Sequence, residues 1–300
     1  MNEALDGLIE ACADRLARQP IAFGHGAADP RSEAELLVLG FLERHPLDES
    51  TRGALDDLLE RRIAERAPAA YLTGEAWFAG RWFDVRPGVM IPRSPMQELI
   101  RRGFRPWLRR APETVLDICC GAGGLGIATA LRFPEARVTL SDIDQAAVAN
   151  ARANIRRFVL ADRVEARRSD LFDGLGRRQF DLVLANPPYV PQSEFLTLPP
   201  EYAHEPRRGL EAGADGLDCW RRLMADVGPW LRRDGLLVGE AGNTAKALET
   251  AFSNLPFVWP EMTRAERLSD GGFGVFVLDA GALTCQPRSD SRYFRRTNHA

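Results

Sequence analysis

Over the first 66 residues the apolar positions recur at helical spacing: Leu5, Leu8, Ile9, Cys12 and Leu16, then Leu36, Leu37, Leu39 and Leu42, then Leu55, Leu58, Leu59 and Ile63. Each set falls on one stripe of a 3.6-residue period, which predicts a small helical domain. Phe23-Gly-His-Gly26 interrupts the pattern as a glycine-flanked turn, and His25 in it reads as a structural histidine in a connector. Pro68 stops the third helix, and over 71–85 aromatic and small residues alternate around Gly74 and Gly80, which predicts a β-hairpin. Residues 89–93 read as extended, with Ser94 placed to cap a helix that has Pro95 in its first turn. Beyond Pro112 the period changes, and short apolar strands alternate with helices in the manner of a doubly wound, mostly parallel α/β sheet. Seven strands are expected, at 114–118, 137–141, 164–168, 180–185, 235–240, 257–259 and 274–278, with helices near 124–133, 144–157, 217–231 and 243–253. The expected division is a helical domain over 1–70, a hairpin linker over 71–90, an α/β domain over 91–282 and a tail over 283–300. That tail carries Arg288, Arg292, Arg295 and Arg296 without an apolar period, so it is expected to be a disordered basic segment.

Composition narrows the function classes only a little. With 45% hydrophobic and 27% charged residues the chain is ordinary globular material, and no apolar run approaches the roughly 18 residues that a membrane span needs. Its first ten residues carry acids where a signal peptide carries bases, so the expected compartment is the cytoplasm. Five cysteines, at 12, 119, 120, 219 and 285, and four scattered histidines give neither a disulfide framework nor metal-ligand spacing, so no metal is expected. A net charge of −3 supplies no global basic field for nucleic acid.

The candidate chemistry sits at successive strand ends, where doubly wound sheets bind ligands. The first strand runs into Asp117-Ile-Cys-Cys-Gly-Ala-Gly-Gly-Leu-Gly126, a glycine turn opening a helix whose N-terminus favours an anionic group. Such a turn alone is weak evidence, because many α/β proteins carry one. The second strand ends in Ser141-Asp142-Ile143-Asp144, an acid about 20 residues past the glycines where it can accept from a ribose diol, with Asp144 reading as a helix cap. The third ends in Ser169-Asp170-Leu171-Phe172, an acid beside apolar residues that can hold the edge and face of an adenine. The fourth, Phe180-Asp-Leu-Val-Leu-Ala-Asn-Pro-Pro-Tyr189, is an apolar strand stopped by two prolines. Pro187 holds Asn186 extended, and two prolines remove two donors, leaving a stiff loop rich in free carbonyls. The side-chain carbonyl of Asn186 and the backbone carbonyl of Pro187 can accept both N–H bonds of a planar NH2 group, with Tyr189 offering a flat face. A strand merely stopped by a turn fits the same residues.

Taken together in this order, the four strand ends resemble the class I S-adenosylmethionine-dependent methyltransferases. The Asn-Pro-Pro-Tyr loop is similar to those of the members that methylate a planar nitrogen, namely the nucleic-acid amino-methyltransferases and the HemK-type N(5)-glutamine methyltransferases of proteins. The helical N-terminal part, the hairpin leading to Val89-Met-Ile-Pro-Arg93, the acceptor loop and His204-Glu-Pro206 with Leu210 resemble the glutamine branch over roughly residues 1–282. Phe23-Gly-His-Gly26, Arg93-Ser-Pro-Met96, Gly239-Glu-Ala-Gly-Asn243 and Asp270-Gly-Gly-Phe-Gly-Val-Phe276 are similar to the subfamily acting on large-subunit ribosomal protein three. The release-factor subfamily usually reads Pro-Arg-Pro-Asp-Thr-Glu where this chain has Pro92-Arg-Ser-Pro95, and has a glycine where this chain has Cys119. The resemblance implies S-adenosyl-L-methionine as cofactor, held by Asp117, Cys119, Cys120, Gly121, Ala122, Gly123, Asp142, Asp170, Leu171 and Asn186. It implies Asn186, Pro187, Pro188 and Tyr189 as the catalytic loop, and ribosomal protein three, free or in an assembling subunit, as partner, with ribosomal RNA contact through the basic tail. The release-factor activity and a nucleic-acid adenine amino-methyltransferase stand as alternatives, and a cofactor- or RNA-binding protein without activity as a third. Glu201 and Glu205 read equally as acids facing a basic substrate or as exposed salt-bridge partners.

Overall fold

The computed structural model describes residues 3–46, 48–262 and 274–284. Helices α1 (Glu3–Ala17), α2 (Pro30–Leu42) and α3 (Glu49–Ala64) turn their apolar stripes inward, and Ile9, Leu16, Leu37 and Leu59 form a core separate from those of the sheet. Asp29 starts α2 with a reciprocal cap: its carboxylate accepts from Ser32 N–H, the Ser32 hydroxyl accepts from Asp29 N–H, and Pro30 occupies the first turn. A short α4 (Ala69–Thr73) then leads into strands β1 (Glu75–Phe78) and β2 (Arg81–Asp84), an antiparallel pair in the register Trp77 opposite Trp82. Ala79 and Gly80 turn the hairpin with φ of 49° and 79°, as a two-residue turn with both residues left-handed requires.

After α5 (Met96–Arg101) the main sheet begins: β3 (Thr114–Ile118), α6 (Gly124–Arg132), β4 (Arg137–Asp142), α7 (Gln145–Arg157), β5 (Val164–Arg168), β6 (Phe180–Ala185), α8 (Gln192–Phe195), α9 (Asp218–Asp226), β7 (Leu231–Glu240), α10 (Ala245–Ala251), β8 (Val275–Asp279) and α11 (Ala280–Thr284). The strand order is β5-β4-β3-β6-β7-β8, parallel except for β8 against β7. Side chains on the two faces make two large cores, one with Leu140 and Val138, the other with Trp220 and Phe276. Winding reverses between β3 and β6, whose last residues Ile118 and Ala185 lie side by side, so the glycine turn and the acceptor loop leave the sheet next to one another.

The sequence pattern misjudged several elements. Of the seven strands expected, the one at 257–259 is reduced to a single antiparallel bridge from Val258 to Val277, leaving six strands in the sheet among the described residues. Its aromatics are drawn into side-chain packing: Phe257 and Trp259 stack on each other and meet the edge of Phe276. The helix expected over 217–231 ends at Asp226; Gly228–Trp230 form a single 3-10 turn, and β7 begins at Leu231. Pro95, not Ser94, is the residue before α5; the Ser94 hydroxyl still accepts from Met96 N–H at 3.1 Å. The segment before Gly274 and the tail from Cys285 on lie outside the described residues.

Candidate active site

At the tip of β3 the chain must leave a buried strand and enter α6 within five residues, so Cys119, Gly121 and Gly123 all take positive φ (59°, 53° and 85°). Gly126 is demanded by packing. A Cβ there would lie 2.1 Å from Leu140 and 2.9 Å from the Cβ of Asp117, so any side chain would push α6 off the sheet. Asp117 uses that closeness: one carboxylate oxygen accepts from Gly126 N–H at 2.8 Å, while Oδ1 is buried without a partner. Burial pushes its pKa up to about 7 against the Gly126 bond, and the neighbouring Asp142 raises it further. Asp142, at the tip of β4, accepts from Gly121 N–H and from Asp144 N–H, each at 2.9 Å, and its pKa is raised by burial despite these bonds. Asp144 caps α7 through Ala146 N–H at 2.7 Å. Asp170, at the tip of β5, is half-exposed and paired with Arg222 of α9 at 2.9 Å, a partner the local sequence did not announce. Leu171 beside it is buried.

The acceptor loop follows β6, all six of whose residues are buried. Tyr189 packs over Gly242, where a Cβ would come within 2.4 Å of its ring, and its hydroxyl donates to Glu240 Oε1 at 3.0 Å. Glu240 is buried at the tip of β7 and takes two donors, Tyr189 and, on its other oxygen, the hydroxyl of Ser94, with the side-chain amide of Asn186 beside it. Burial nevertheless pushes its pKa up to about 7. One cleft of about 1720 Å³ joins these tips and is lined from all four strand ends, by Cys119, Asp142, Leu171, Asn186, Pro187 and Tyr189 among others; of the expected site residues Asp117, which is buried, and Gly123 are not in its lining.

The far wall comes from the helical part and corrects the reading of two acids. Glu201 and Glu205 are not exposed salt-bridge partners; they are 0% and 5% exposed and bind this chain's own groups. Glu201 accepts from Ala22 N–H at 2.8 Å and from Arg66 at 3.2 Å. Glu205 takes a bidentate pair from Arg93 at 2.7 and 2.6 Å and a third bond from Ile91 N–H at 3.0 Å, with the buried His25 ring 3.4 Å away. Burial alone would raise its pKa, but Arg93 and His25 override it and hold the carboxyl at about 2. His25 also tilts against Tyr202, ring centroids 4.4 Å apart, so the glycine-flanked turn is clamped to the cleft. Sequence reasoning missed Ser94 and Glu240 as parts of the site, and weighed Glu205 only as a substrate-facing acid or an exposed salt-bridge partner. Glu240 was the legible one, being a lone acid closing an apolar run that lies beside the acceptor strand.

A sheet wound 3-2-1-4-5-6 with its last strand antiparallel, a glycine turn and acids at the first strand tips, and an Asn-Pro-Pro-Tyr loop at the fourth define a methyltransferase of the class I α/β type. Residues 106–205 match the methyltransferase small domain family, and the fold resembles the hMettl16 catalytic domain with a TM-score of 0.50 at 14% identity over 66% of this chain and 74% of that one. The chain is 41% identical to the ribosomal protein uL3 glutamine methyltransferase of Bordetella pertussis over 269 residues (86% of this chain, 90% of the relative). It is 38% identical to the proteins of the same name from Francisella tularensis subsp. tularensis (92% and 90% covered) and Burkholderia pseudomallei (92% and 94%). The chain belongs to the ribosomal protein uL3 glutamine methyltransferase family. No group of three or more metal-ligating side chains occurs among the described residues, and no helix among them is long and apolar enough to cross a membrane.

Proposed function

We propose that this chain transfers a methyl group from S-adenosylmethionine to the side-chain amide nitrogen of a glutamine in ribosomal protein uL3, in the cytoplasm. The observation that carries the reading is the acceptor loop: Asn186-Pro-Pro-Tyr189 opens into the same cleft as the glycine turn, in a chain similar to uL3 glutamine methyltransferases along nearly its whole length.

The cleft fits the cofactor. Asp142 spends one lone pair of each oxygen on backbone N–H groups and keeps others for a ribose diol, the Gly121 and Ala122 turn gives close backbone approach, and Leu171 offers an apolar face for a flat base. Bound there, S-adenosylmethionine supplies an electrophilic methyl group. The chain's own task is the nucleophile, because an amide nitrogen has its lone pair delocalised into the carbonyl. The Asn186 side-chain oxygen and the Pro187 backbone oxygen accept the two N–H bonds of the target amide and fix its plane, and Tyr189 packs beside it. The same carbonyl dipoles stabilise positive charge as it develops on nitrogen, and the methylated nitrogen then loses its acidic proton to water, so orientation and electrostatics do the work without a strong base. Residues 1–70 and the hairpin, with Trp77 half-exposed at its tip, supply the recognition surface.

The test is transfer of labelled methyl from S-adenosylmethionine to purified uL3, with a release factor and nucleic acid in parallel. Protease-sensitive, nuclease-resistant label on a uL3 glutamine is expected. Faster labelling of the release factor would overturn the substrate, and label in nucleic acid would overturn the class.

A further inference from the structure

Asn186 can accept from a target amide only if its own amide is the right way round. Its oxygen and NH2 are nearly the same shape, and a flipped side chain would set NH2 against NH2. Nothing in the loop's two prolines decides this. The group that does lies 54 residues on in sequence, at the tip of the adjacent strand, where Glu240 is buried against the back of the loop.

We propose that Glu240 is a positioning residue for methyl transfer: bridging Ser94 to Tyr189 and Asn186, its carboxylate draws the Asn186 NH2 toward itself and so turns the Asn186 oxygen to the target. The inference rests on the glutamine-transfer reading and adds a residue to it. An ionised carboxylate only accepts; the Ser94 hydroxyl and the Tyr189 hydroxyl, the latter at 3.0 Å, donate to this one, and the Asn186 side-chain amide lies against it. Ser94 is itself fixed, accepting from Met96 N–H at 3.1 Å, so its hydroxyl proton is free to point at Glu240. Protonated, Glu240 would offer a donor into the cluster, and the preference for one Asn186 orientation would fall. The charged or titratable groups facing it are Arg93, from the segment before α5, and Tyr189, from the acceptor loop. Arg93 is a cation held by Glu205 and favours the carboxylate; Tyr189, its pKa raised by burial and by Glu240, stays a neutral donor. With burial holding the Glu240 pKa up at about 7, transfer at saturating cofactor and uL3 rises with pH and levels off above that value.

The experiment uses the full chain and its Glu240→Gln variant, which keeps size and removes the ionisation. Single-turnover transfer to uL3 is measured from pH 6 to 9 beside calorimetric S-adenosylmethionine affinity. We expect the variant's rate to be about 10- to 100-fold below the wild-type plateau and flat with pH, with cofactor affinity within about threefold, since a small misplacement of a positioning group costs on this scale. A purely structural Glu240 would leave the pH profile where it was, and a variant keeping the wild-type plateau and profile overturns the proposal. The Asn186 side-chain amide resonance, assigned by its loss in Asn186→Ala, gives a readout independent of substrate. Titration with a midpoint near 7 in the wild type and none in Glu240→Gln supports the orientation role; its absence in both overturns it. If wild-type protein fails to methylate uL3, the substrate reading falls while this resonance still decides the role of Glu240.

Discussion

At one end of the cleft Asp117 and Asp142 are met by backbone N–H groups of Gly126 and Gly121, 9 and 21 residues away in sequence. At the other end Glu205 is met by Arg93, 112 residues away, and Glu240 by Ser94, 146 residues away. Asp142 lines the cleft and keeps free lone pairs for something that enters, which suits a cofactor pocket, while Asp117 is buried outside the lining and holds the turn onto α6. The second pair is saturated by the protein's own side chains, which suits a rigid wall that holds another group still. Burial acts on all four acids, yet Glu205 alone, with a cation in contact, is pulled down to about 2, while Asp117 and Glu240 are pushed up to about 7.

The hardest way to break this contrast is to unpair the wall. Arg93→Met leaves the Glu205 carboxylate buried without its cation, so we expect a loss of about 3–5 kcal/mol in denaturant unfolding at pH 8. The sign with pH follows from the depressed pKa. In the wild type the pair's contribution is full above the unfolded carboxyl value near 4.5 and fades as pH falls toward 2, so the deficit of the variant should shrink on acidification. Adding Glu205→Gln should recover much of it; no recovery would mean that Arg93 acts elsewhere.

Next in size is Asn186→Ala. It should lower transfer by about 10²–10³ while cofactor affinity stays nearly intact, because the lost acceptor serves charge that develops only in the transition state. Equal losses in binding and turnover would place Asn186 in cofactor binding instead.

The same contrast explains what was legible beforehand. Strand tips and their acids could be read because each is a local event: an apolar run of five or six residues, a glycine turn, an acid. The sharing of one cleft by Asp142, Leu171 and Asn186 followed from that pattern; the strand order did not, and one of the seven expected strands is a single bridge. Most of the wall could not be read, since His25, Arg93 and Glu205 come from three separate segments and each alone looks like a connector or a surface charge. Their meaning depends on contacts that only tertiary packing makes. Deleting residues 1–66 is for this reason a poor probe of recognition: it removes His25 from beside Glu205, which keeps Arg93 and Ile91, and takes Ala22 and Arg66 from Glu201, stranding that buried carboxylate.

On the cofactor side the expected effect is smaller. Asp142→Ala removes charge-assisted acceptors worth about 1.5–3 kcal/mol, roughly a 10- to 100-fold weakening of S-adenosylmethionine binding, and should leave the fold intact because only the Gly121 and Asp144 backbone bonds are lost with it. Unchanged calorimetric affinity would take Asp142 out of the pocket.

The smallest effect is expected at Cys119, where related enzymes place glycine. Its backbone is left-handed, with φ of 59°, which costs a non-glycine residue roughly 1–2 kcal/mol. Cys119→Gly would relieve that, but glycine widens the unfolded ensemble by about 0.5–1 kcal/mol, and the half-buried thiol loses its contact with the Cys219 thiol on α9 and with the apolar core behind it. These terms are similar in size and opposite in sign, so the denaturant midpoint should move by less than about 1 kcal/mol, with cofactor affinity changed by no more than about threefold. A loss beyond about 2 kcal/mol would show that the Cys119–Cys219 contact, rather than the glycine turn, holds this end of the cleft, and the division between a locally built cofactor side and a long-range wall would have to be redrawn there.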